Sequence, residues 1–230
     1  MKTNSIRKII SALCILTLVF TLAFEPFSVA FAAQPETSTD ARCDGAVAEI
    51  SVCSRLKTFG FGNGHMWIYV NNISDETLTV GHYELPAGEG VSIALFSVSC
   101  SDGGGIYYNV EAYCDNVYNN KGSLSITEKI TESDLGRLNK KLVNYLNHWD
   151  PVFNCMYFAF SMWNCATDRP LIYLMIPILG YVEMFVCGGK LNVLDMFCPE
   201  AEKVFRQRGN GKNAYLEPVS AASIDQAIAA

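Results

Sequence analysis

The sequence predicts an α+β fold in which an antiparallel β-meander packs against helices. Two observations predict it. Between residues 65 and 130, short runs rich in Val, Ile, Tyr and Phe alternate with turn-forming breaks such as "NNISDE", "PAGEG" and "SCSDGGG". From Thr131 onward, apolar residues recur at helical spacing instead. The 230-residue chain is 50% hydrophobic and only 17% charged, which suits a folded domain with a substantial core and excludes a disordered chain.

The opening residues, "MKTNSIRKIISALCILTLVFTLAFEPFSVAFAAQ", have the layout of a secretory signal. Lys2, Arg7 and Lys8 precede an apolar core, and Ala30-Phe31-Ala32 fits a small-x-small cleavage site. The expected organisation is a signal peptide over 1–32, a polar leader over 33–44, a domain over 45–213 and a loose tail over 214–230. A retained N-terminal membrane anchor is the alternative; cleavage makes the protein secreted, or extracytoplasmic. Cleavage removes Lys2, Arg7, Lys8 and Glu25, taking the formal net charge from -6 to -8. That acidic balance argues against a nucleic-acid partner and against adhesion to anionic lipid.

Element by element, "HMWIYV" has strand composition, with His65, Trp67 and Tyr69 on one face and Met66, Ile68 and Val70 on the other. "TLTVGHYEL" reads as a second strand placing Leu78, Val80, His82 and Glu84 on one side. "VSIALFSV" is a third strand, "IYYNVEAY" a fourth and "SLSITEKI" a fifth. "TESD" then offers a capping box, Thr131 with Asp134, for a helix carrying Leu135, Leu138, Leu142, Tyr145, Leu146 and Trp149 at helical spacing. Pro151 ends it. Asn154 is a good N-cap for the next helix, so Cys155 falls in its first turn. In "PLIYLMIPILGYVEMFVC", Pro177, Gly180 and Glu183 interrupt a stretch barely long enough to cross a bilayer, so a buried or substrate-facing segment is expected and no stable membrane span. "PEAEKVFRQRG" reads as a short surface helix stopped by Gly209.

Eight cysteines follow the signal: 43, 53, 100, 114, 155, 165, 187 and 198. An exported chain meets an oxidising compartment, and spacing suggests the local closures Cys43–Cys53, Cys100–Cys114 and Cys187–Cys198, one pairing among many. Cys155 and Cys165 would be left over. The chain contains no C-x-x-C and no H-E-x-x-H, so no metal site and no cofactor is expected.

A cysteine becomes a nucleophile when its thiolate is stabilised and a base lies in reach. A helix N-terminus supplies a partial positive charge of roughly half a unit. The chain has three histidines. His148 is placed to cap the end of its own helix. His65 and His82, on successive strands, can form a relay in which His65 is the base and His82 orients it. Asn109 or Glu111 is the next candidate orienter, Glu111 serving equally as a buried carboxylate or a substrate contact, and Asn154 joins them as a possible orienting or substrate residue.

"GHMWIYV…VGHYEL…NCMYFA" resembles the circularly permuted branch of the NlpC-type papain-like superfamily, which includes lecithin:retinol acyltransferase-like proteins. The resemblance covers roughly residues 60–165 and implies a permuted papain-like fold with His65 as base, His82 as orienter and Cys155 as nucleophile. It also implies a thiol hydrolase or acyltransferase acting on an amide, isopeptide or ester, with a peptide, cell-wall or acyl-lipid substrate. The apolar segment 170–187 has no counterpart in that branch. The competing expectation is a non-catalytic, disulfide-stabilised secreted domain that binds a ligand through its aromatic-rich strand.

Overall fold

A computed structural model of the chain describes residues 45–55, 64–96, 104–118, 123–148, 154–173, 177–191, 194–197, 200–220 and 222–224. The expected signal peptide and leader lie outside them. The fold is α+β, built on an antiparallel eight-stranded sheet whose spatial order is β10 (Tyr215–Pro218), β9 (Phe205–Arg208), β6 (Gly105–Tyr108), β5 (Gly90–Phe96), β2 (His65–Asn72), β1 (Ala46–Arg55), β7 (Leu124–Thr131) and β8 (Lys190–Leu191). Its longest strands are β1, β2, β5 and β7. Strand β1 has no counterpart in the sequence reading, yet it is an inner strand, paired with β2 on one side and β7 on the other.

Because side chains alternate across a strand, the register assigns each residue to a face. Ile50, Val52, Met66, Ile68, Val70, Val91, Ile93 and Leu95 enter the main core. That core is closed by α2 (Glu132–Asn144), α3 (Cys155–Ala166) and α4 (Pro177–Val186). On the opposite face Cys53, Trp67, Tyr69 and Ala94 pack against Ala112 of α1 (Val110–Tyr118) and against Met196. The sheet is therefore covered on both sides. All described residues fall within one compact unit, Arg42–Ala230.

Helix α2 begins as its sequence requires: the Thr131 hydroxyl accepts from the Asp134 N–H and the Asp134 carboxylate accepts from the Thr131 N–H. It stops at Asn144, with Tyr145 extended as C-cap, so Leu146 stands exposed instead of continuing the apolar stripe. Helix α3 is apolar all round, with Met156, Phe158, Ala159, Phe160, Met162 and Trp163 fully buried, which marks it as a core helix. Within 170–187, α4 occupies Pro177–Val186 and leaves Val182, Phe185 and Val186 exposed.

Several expectations are corrected. "TLTVGHYEL" is not one strand but a hairpin, β3 (Leu78–Val80) and β4 (Tyr83–Leu85), forming its own two-stranded sheet. Gly81 reverses the chain at φ 64°, and its N–H donates to Asn139 Oδ1 of α2. The "IYYNVEAY" strand ends at Tyr108, and helix α1 begins at Val110. The expected surface helix at 199–209 is a 3-10 turn, Ala201–Lys203, followed by β9 (Phe205–Arg208). Pairing with β6 (Gly105–Tyr108) buries Arg206 and Gln207 there, and tertiary burial overrides the helical reading. The tail is not loose either. β10 (Tyr215–Pro218) pairs with β9, and Ile224 is buried with Phe96, Tyr107, Val110 and Tyr113. Cys53 and Cys187 are free thiols, so the closures expected for them are not formed; Cys53 is enclosed between Trp67, Ala94 and Ala112. Cys43, Cys100 and Cys198 lie outside the described residues.

Gly90 opens β5 where the Tyr69 side chain crosses it, and a Cβ there would stand 1.8 Å from the Tyr69 hydroxyl. That hydroxyl accepts a hydrogen bond from the Phe197 N–H at 2.7 Å, tying the 194–197 segment to the sheet. Gly90→Ala must displace the ring and break this bond, so denaturant unfolding should show a loss of about 1–3 kcal/mol.

Candidate active site

Three element ends meet where the inner strand β2 begins. His65 is the first residue of β2, Glu111 lies in the first turn of α1, and Cys155 is the first residue of α3. Each is placed by local chemistry. Asn154 caps α3, its Oδ1 accepting from the Met156 N–H at 3.0 Å and the Tyr157 N–H at 3.2 Å. Asn109 ends β6 and starts α1. It takes φ 66°, a left-handed conformation that Asn tolerates better than most residues. Its carbonyl accepts the first helical bond from the Tyr113 N–H. Its buried amide accepts from the Ser92 N–H and donates to the Lys203 carbonyl. The turn at Asn109 aims Glu111 at the imidazole.

The His65 Nε2–H donates to Glu111 Oε1 at 2.8 Å, and the Cys155 thiol takes a hydrogen bond from the same ring. Since Nε2 is turned to Glu111, Nδ1 is the ring nitrogen left to face the thiol. The ring plane is fixed by Trp67, stacked at 5.8 Å, and by Phe96, edge-on at 4.9 Å. His65 is 4% exposed, Glu111 1% and Cys155 7%, so charge here has almost no water to solvate it and must be met by its neighbours.

Burial alone would raise the Cys155 pKa. The imidazolium of His65 outweighs it, with the backbone N–H groups of Met66 and Met156 helping, and the thiol is held below its ordinary value. Burial alone would lower the His65 pKa, but the thiolate on one side and the Glu111 carboxylate on the other push it up to about 9. The two groups titrate as a unit, each favouring the charged form of the other. Both anions sit at helix N-termini, where the helix dipole favours negative charge. By contrast, burial raises the pKa of Cys53, Cys165 and Cys187.

Of the residues singled out in the sequence, Cys155, His65 and Glu111 are brought together. His82 is not the orienter. It occupies the turn of the β3–β4 hairpin against α2, burial lowers its pKa, and both nitrogens of His65 are already engaged by Glu111 and Cys155. Asn109 and Asn154 act through backbone and cap, not through contact with the ring. His148 is exposed beyond the end of α2. Sequence reasoning missed Arg55, whose Nη2 donates to Asp115 Oδ1 one turn beyond Glu111; only the β1–β2 register, which sets Arg55 opposite His65, could have signalled it. Among the described residues no three His, Cys, Asp or Glu side chains form a metal-binding group. Comparison of the chain with protein-family models, with curated proteins and with solved structures found no match.

Glu111→Gln keeps the shape but removes the charge that favours the imidazolium. The acid limb of Cys155 alkylation by iodoacetamide, followed against pH with peptide mapping, should rise by about 1–3 pH units. His82→Ala should leave that limb where it is.

Proposed function

We propose that the protein is a secreted cysteine-dependent acyl-transfer enzyme. The observation that carries this reading is the convergence of Cys155, His65 and Glu111, with the imidazole bonded to a carboxylate through Nε2 and interacting with the buried thiol. The order of the parts, histidine strand before cysteine helix, matches the permuted papain-like arrangement that the motifs resemble, with Glu111 in place of His82 as orienter.

In the reaction, the Cys155 thiolate attacks the carbonyl carbon of an amide, isopeptide or ester, forming a C–S bond and a tetrahedral oxyanion. With the Met156 and Tyr157 N–H groups engaged by Asn154 Oδ1, the Cys155 N–H at the start of α3 is the group left to stabilise that charge. The oxyanion collapses, the bond to the leaving nitrogen or oxygen breaks, and His65 Nδ1–H delivers the proton to the leaving group. Water, an amine or an alcohol then gives a proton to the neutral His65 and attacks the acyl-thioester. The C–S bond breaks and the thiolate–imidazolium pair returns. Glu111 keeps the proton on Nε2 throughout, which fixes the tautomer in which Nδ1 can act. Water as acceptor gives a hydrolase, an amine or alcohol a transferase.

Peptide amides, including cell-wall peptides, and fatty-acyl esters are the substrate classes that the resemblance brings. A free Cys155 within a hydrogen bond of His65 favours the enzyme over a disulfide-stabilised binding domain, which needs that sulfur in a cystine. The test is turnover of a panel of peptide amides, isopeptides and acyl esters. Activity should disappear in Cys155→Ala and fall roughly 100- to 10,000-fold in His65→Ala. Turnover that survives Cys155→Ala in any of these classes would refute the assignment.

A further inference from the structure

We infer that Arg55 is a positioning residue for this site, holding Glu111 on His65 through Asp115 and Trp67; the inference rests on the cysteine-enzyme reading above. Arg55 is only 3% exposed, an unusual place for a guanidinium. Its cross-strand partner in the β1–β2 ladder is His65, so both side chains stand on the same face at the same end of the ladder. Two routes lead from it to the imidazole. In the first, Arg55 Nη2 donates to Asp115 Oδ1. Asp115 follows Glu111 by four residues in α1, so the two carboxylates share one helix face. The ion pair thus fastens α1 to β1 one turn beyond the residue that meets His65. In the second, the guanidinium lies 5.1 Å over the Trp67 ring, and Trp67 stacks on His65 with 19° between ring planes.

The charges around Arg55 fit this role. Glu111 and Asp115 face it from α1, His65 from β2 and Cys53 from its own strand, while Cys155 approaches the ring from α3. Burial keeps Cys53 protonated and uncharged. Two carboxylates and the Cys155 sulfur therefore cluster with two basic groups, His65 and Arg55, with Asp115 at the partly exposed end. Removing Arg55 leaves three anions against a single imidazolium, and both the lost cation and a displaced Glu111 make the thiolate harder to form.

The experiment measures iodoacetamide labelling of Cys155 against pH in the full chain, with Arg55→Met and Arg55→Lys compared to the unsubstituted protein. Arg55→Met should move the acid limb up by about one pH unit, close to tenfold slower labelling below it. Arg55→Lys keeps the charge without the flat fork and should shift the limb in the same direction by less. The Lys variant decides the matter if the Met variant does not fold. A purely structural Arg55 would lower the melting temperature and leave the limb unmoved; an unmoved limb in folded variants overturns this inference alone. If the unsubstituted protein itself shows an ordinary, unactivated thiol, the enzyme reading falls, and this inference with it.

Discussion

The structure depends on a single buried imidazolium. Taken from water alone, the charged ring of His65 would be strongly disfavoured, and so would the thiolate of Cys155 and the carboxylate of Glu111. Together they solvate one another: one anion on each ring nitrogen, and one helix N-terminus behind each anion. The arrangement is mutual: the thiol and the carboxylate each favour the charged ring, and the charged ring favours the thiolate. A dry surround of Trp67 and Phe96 strengthens each of these interactions beyond what water would allow.

The fold's contribution is to bring two helix starts to the first residue of one strand. Both are introduced by a buried asparagine used differently. Asn154 spends its side chain on the N–H groups of its own helix, whereas Asn109 spends its side chain on β5 and on the Lys203 carbonyl while its backbone makes the turn. Helix α3 is anchored by apolar contact on every side, and α1 is fastened by the Arg55–Asp115 pair. The nucleophile is thus held by packing, and the orienting carboxylate by polar contacts.

Much of this was legible in the sequence because it is local. The Thr131–Asp134 capping box, the Asn154 cap and the period-two strand at 65–70 are set by neighbours within a few residues, and all three are seen in the structure. What failed was non-local. Strand β1 takes its place from pairing with β2 and β7, and β9 reads as helix until pairing with β6 is known. The error over His82 came from one residue, Gly81: read as part of a strand, it leaves His82 beside His65, whereas its positive φ folds the chain back and carries His82 toward α2. Glu111 was legible as a charged residue in an apolar stretch, but its role needed the strand-to-helix change at Asn109, which composition does not announce. Arg55 depended wholly on register.

The most direct test of the central claim is the protonation state of His65 in isotope-labelled protein, followed by the NMR shifts of its ring and assigned with His65→Ala. The account predicts an imidazolium that persists through neutral pH and titrates near about 9, falling well below that in Cys155→Ala. A His65 that is already a neutral imidazole at neutral pH in the intact protein would contradict it.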